Sequence, residues 1–77
     1  MYVAIIKGQQ FPQVSYQQTL VDVLWALLVA KSKEVVVYNS DTRTTLKRFH
    51  NMQEWTQEYG RLFADIPVVL NVNRIQL

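Results

Sequence analysis

The chain has 77 residues, no cysteine and a single histidine, His50, which excludes disulfides and thiolate metal sites and leaves a poor start for a zinc centre. Eight Lys and Arg against six Asp and Glu give a formal charge of +2, too weak to argue for nucleic acid by itself. Charged residues make up only 18% of the chain, below the usual quarter, and a surface so sparing in charge fits protein contact better than life as a strongly soluble monomer.

A chain of this size makes one domain, residues 1–77, and buries only about 60–65% of the surface its unfolded form exposes. Without disulfides or a metal, extra stability must come from self-association or from an unusually good core. Hydrophobic residues are 49% of the chain, with two Trp, four Tyr and three Phe, so core material is plentiful.

The N-terminus opens directly on a strand pattern and lacks the basic leader and cleavage site of a signal peptide. The longest nearly apolar run, Leu20 to Ala30, contains Asp22 and falls short of the roughly 20 residues of a membrane span. The expected location is cytoplasmic.

Tyr2 to Lys7 is a β-branched, apolar run that suits a strand buried on both faces. Residues 8–14 (GQQFPQV) read as a loop, because Gly8 permits a turn and Pro12 removes a donor. Ser15 followed by Gln18 is a capping-box pattern that starts a helix at Tyr16, expected to end near Lys31. Glu34 to Tyr38 is a second strongly apolar strand, residues 39–42 are turn formers, and Arg43 to Phe49 is a third, more polar strand. Asn51 with Glu54 caps a second helix from Met52 to about Asp65. Its apolar positions Met52, Trp55, Tyr59, Leu62, Phe63 and Ile66 form one stripe. Pro67 ends that helix, and residues 68–75 form the last strand.

The resulting order is βαββαβ, an α+β two-layer sandwich with two helices on one face of a four-stranded sheet. The ferredoxin-like strand order 4-1-3-2 places the third strand centrally. Here the third strand has the polar composition of an edge, and the Val-rich strand before it has the composition of a centre. A variant order 3-2-1-4 therefore fits the hydrophobicity better.

The first helix carries the main anomaly. Tyr16, Leu20, Val23, Leu24, Leu27 and Ala30 gather on one side, expected to face the sheet. Val21, Trp25, Leu28 and Val29 continue around the flank, interrupted only by Gln18, Asp22 and Thr19. A helix apolar almost all round is normally buried all round. Either the second helix covers part of this surface, or Trp25, Leu28 and Val29 form a protein contact. Phe11 is a further contact candidate, although a plug over the core end explains it as well. Arg43, Lys47 and Arg48 are possible nucleic-acid contacts, with Arg43 and Lys47 expected on one strand face. The bland alternative is a charged edge that resists aggregation. Gly60 inside the second helix is expected to admit a close neighbour.

The element order invites comparison with several ligand-binding folds, and the residues support none of them. The third strand RTTLKRF lacks the stacking aromatics of RNA-recognition motifs. The first loop has no Arg, as an acylphosphatase would need, and no Gly-rich run to cradle a phosphate. His50 has no acid partner visible in sequence, and no serine stands in a nucleophile-elbow setting. The sequence therefore reads as a non-enzymatic protein-binding module without cofactor or metal, expected to be a homodimer. Regulators and phage-encoded inhibitors of host or defence proteins are commonly of this kind. The alternative expectation is a small nucleic-acid-binding domain using the basic third strand.

Overall fold

The computed structural model describes residues 1–63, and the expected final strand, Ile66 and the stop at Pro67 lie outside them. The elements are β1 (Tyr2–Ile6), β2 (Gln9–Gln13), α1 (Tyr16–Leu28), β3 (Val35–Asn39), β4 (Thr44–Phe49) and α2 (Met52–Phe63). The strands form one antiparallel sheet of order β2-β1-β3-β4, and both helices lie on one face of it. This is an α+β fold with a variant of the ferredoxin-like strand order. The apolar strand β3 is central and the polar strand β4 is an edge, as their composition requires.

Several expectations are corrected, beginning with the loop at residues 8–14. Residues 9–13, read as a loop, form the edge strand β2 and pair with β1 from Ile6↔Gln9 to Tyr2↔Gln13. The connection is two residues, Lys7 and Gly8, both at positive φ (50° and 82°). Positive φ at both positions is the type I′ pattern, whose twist matches that of the flanking strands. Pro12 is tolerated because an edge strand has one side with no ladder bond to lose.

The hairpin of β3 and β4 turns at residues 40–43, where Asn39 Oδ1 accepts from the Asp41 N–H (2.9 Å) and Arg43 takes a left-handed φ of 56°. Its ladder slips between Val37 and Tyr38, which oppose Lys47 and Thr45, so Leu46 is bulged out. A one-residue bulge reverses the alternation beyond it. Lys47 therefore shares the helix side with Val37, while Thr45 lies on the outer face with Tyr38. The expected common face of Arg43 and Lys47 does not survive this.

The core lies between sheet and helices. Ala4, Ile6, Val35, Val37 and Phe49 supply the sheet side, Leu20, Val23, Leu24 and Ala26 come from α1, and Trp55 and Tyr59 from α2. The Trp55 indole N–H donates to the Leu20 carbonyl at 2.7 Å, tying the helices together, and the Trp55 and Tyr59 rings stack at 4.9 Å. On the opposite face, the Tyr38 hydroxyl reaches across β1 toward Gln10 Oε1 (3.5 Å), and Val3 is buried.

Both helix starts follow the capping patterns. The Gln18 N–H donates to Ser15 Oγ (3.1 Å) and the Glu54 N–H to Asn51 Oδ1 (2.9 Å). The first helix stops earlier than expected, at Leu28. Lys31 turns left-handed (φ 55°), and the Ser32 N–H folds back to the Ala26 carbonyl at 2.9 Å. The buried arc of α1 is also rotated from its expected centre, since Thr19 and Asp22 are buried. Both have partners that make this tolerable. Thr19 Oγ1 donates to the Ser15 carbonyl (3.0 Å), and Asp22 Oδ2 accepts from Gln13 Nε2 on β2 (2.8 Å).

In α2 the expected stripe holds for Trp55 and Tyr59, with Met52 and Phe63 packed against the core, but Leu62 is 41% exposed. Among the described residues Gly60 does not admit a close neighbour: a Cβ built there meets nothing within 4 Å. With no contact to lose, Gly60→Ala should stabilise the protein by about 1 kcal/mol through helix propensity and a less flexible unfolded chain. A thermal melt should rise by about 4–8 °C, the scale for a domain of this size. A lower midpoint would mean that the glycine is needed for its backbone.

Candidate functional site

The outer side of α1 is the most unusual surface of the described residues. Along its 13 residues the only charged side chain is Asp22, and Asp22 is turned inward to accept from Gln13. The solvent side is consequently free of charge. Val21 and Trp25 are half-buried there, while Leu28 (45%) and Val29 (37%) are exposed. Consecutive helical residues lie about 100° apart, so these four share one arc opposite the core-facing residues. Trp25 also packs inward against the core, and among the described residues its buried indole N–H has no hydrogen-bond partner.

The structure places the remaining candidates apart from this arc. Phe11 sits on β2 and packs against the core, half-buried. Of the basic residues, Arg43 occupies the hairpin turn, and Arg48 on β4 is paired with Glu34 (3.4 Å). Lys47 lies on the helix side, where its charge helps lower the Glu54 and Glu58 carboxyls. The three do not converge on one face.

Two polar constellations are completed only by the fold. His50 lies between two carboxylates, with Nε2 3.3 Å from Glu34 and Nδ1 3.0 Å from Glu54. The His50 backbone N–H also donates to Glu54, and this bond is the main cause holding that carboxyl below its ordinary range. The capping pattern identifies Glu54, but nothing local points to Glu34, which arrives through the fold.

The second constellation lines a shallow groove of about 330 Å³ among Tyr2, Tyr16, Asn39, Leu46, Glu58, Arg61 and Leu62. The Tyr16 hydroxyl donates to Glu58 Oε2 (2.8 Å) and Arg61 donates to Glu58 Oε1 (2.9 Å). Burial pushes the Glu58 carboxyl up, but the Tyr16 bond and the Arg61 guanidinium together bring it below the ordinary range. Burial and the same carboxylate raise the Tyr16 hydroxyl, so it remains a donor at neutral pH. This arrangement braces α1 against α2.

Among the described residues no group of three or more His, Asp or Glu side chains is placed to hold a metal ion, and no helix is long and apolar enough to cross a membrane. Comparison of the chain with known protein families, curated proteins and solved structures gives no match.

Proposed function

We propose that this chain is a small non-enzymatic protein-binding module, a regulator or inhibitor that acts by direct contact through the outer side of α1. The observation that carries this reading is a helix surface without charge, on which Val21, Trp25, Leu28 and Val29 remain partly or largely in water. Trp brings a large rigid contact area at low entropic cost, and contact energy concentrates on such residues. Burying the exposed parts of these side chains in a partner contributes at about 25 cal/mol per Å² of apolar area, before the costs of association.

The reading is tested by affinity capture from the native source, comparing wild type with Leu28→Glu. Leu28 is exposed, so the substitution leaves the core alone, which circular dichroism checks. The expected result is a specific captured protein, either a second copy or a heterologous partner, that is lost with Leu28→Glu. A hot-spot loss of about 2 kcal/mol corresponds to roughly 30-fold weaker binding. A partner retained in full by folded Leu28→Glu would place the contact elsewhere. Capture of nucleic acid that weakens steeply with salt would replace a protein partner by phosphate binding.

A further inference from the structure

We propose that residues 66–70 of this chain, Ile-Pro-Val-Val-Leu, fold back into the groove beside the end of α2 and close it, in contact with Tyr2, Leu46 and Leu62. This concerns a different surface from the outer side of α1 and does not depend on the reading of that helix.

The occupant follows from where the chain leads. β4 ends at Phe49 and α2 starts at Met52, at the end of the sheet where Ile6 pairs with Val35 and Val35 with Phe49. α2 then carries the chain back to the opposite end, because Glu58, Arg61 and Leu62 line the groove together with Tyr2 and Asn39, which pair there. Phe63, the last described residue, directly follows Leu62. From Phe63 to Ile66 are three residues, a reach of at most about 10 Å in extended chain. A segment on so short a tether has an effective concentration in the mM range, an advantage that no separate apolar molecule has.

The chemistry of groove and segment also agrees. Leu46 and Leu62 are exposed in the groove, and residues 66–70 form the first apolar, uncharged run after α2. Burying both contributes about 25 cal/mol per Å² of apolar area. Asn39 and Arg61 line the same groove and carry N–H donors for the carbonyl groups of an incoming backbone. The sheet offers this segment no better place. β1 is paired on both sides, so the position beside it that the variant strand order assigns to the last strand is held by β2. Pro12 on β2 has no N–H for a further strand, and the bulge at Leu46 twists the edge of β4.

The chain has no cysteine, so one nitroxide on Asn71→Cys reports where the segment goes without replacing a docked residue. The amide signals of Tyr2, Leu46 and Leu62 should broaden more than those of Leu28 and Val29 on α1, or of Lys7 and Gly8 at the other end of the sheet. Strongest broadening on α1, or even broadening across the molecule, would overturn the proposal. When nitroxide-bearing protein is mixed with isotope-labelled wild type, the groove signals should stay sharp. Broadening there would mean that the segment of a second copy fills the groove, which overturns folding back. In the full chain, Val69→Asp should lower the thermal midpoint by about 4–8 °C, with a much smaller drop when Leu46→Ala and Leu62→Ala are already present. An unchanged midpoint, or the same drop in both backgrounds, would overturn the contact.

Discussion

Phe49→Ala should remove a large part of this protein's stability at room temperature. Phe49 closes β4 opposite Val35 and is fully buried between the sheet and the helices. Truncating a buried Phe to Ala costs about 3–5 kcal/mol, from lost transfer energy and the cavity left behind. Native stability is about 0.05–0.15 kcal/mol per residue, or roughly 4–12 kcal/mol for a chain of this length. The loss is therefore a large fraction of the total, and at the lower end of the range nearly all of it. Urea titration followed by circular dichroism should show a midpoint lower by about 3–5 M, or no folded baseline, taking a slope near 1 kcal/mol/M. Phe49→Leu, which keeps most of the volume, should recover most of the loss. A change under about 1 kcal/mol for Phe49→Ala would mean that the end of β4 is not covered by the helices.

Trp55 is the second position where one side chain decides much. It is buried, stacks on Tyr59, and donates its indole N–H to the Leu20 carbonyl on the other helix. Two contributions can be separated by substitution. Trp55→Phe keeps an aromatic ring and removes the donor, for a loss of about 1–3 kcal/mol from the hydrogen bond and the reduced volume. Trp55→Ala removes the ring as well and should cost about 3–5 kcal/mol, including a stacking contribution of about 0.5–1.5 kcal/mol. Hydrogen exchange gives the site-specific check: protection should fall first across α2, whose attachment depends on this side chain. Equal losses for the two variants would mean that the indole bond, and not the packed ring, holds α2 in place.

Much of the fold was legible locally. Capping patterns at Ser15 and Asn51 fixed both helix starts, because they depend on residues three apart whose bonding the sequence states directly. The runs of β-branched residues gave β1 and β3, and the contrast between EVVVY and RTTLKRF ranked β3 and β4 as centre and edge. The loop reading of residues 9–13 failed because Pro12 and three glutamines argue against a strand. The pairing that makes it one is supplied by β1, through a two-residue turn whose positive φ values no Asn-Gly signature announces.

The sequence by itself determined the α+β class, the helix starts and the excess of apolar residues on α1, since these follow from composition and from spacings within one element. Only the tertiary structure decided which of those apolar residues are left outside. Asp22 interrupts the helix in sequence, yet in the fold it turns inward to Gln13, so the outer side becomes free of charge. The bulge at Leu46 separated Lys47 from the residues that alternation would have grouped with it, and Glu34 came to His50 across the chain. Each of these outcomes depends on a partner distant in sequence, and periodicity within a segment carries no information about such partners.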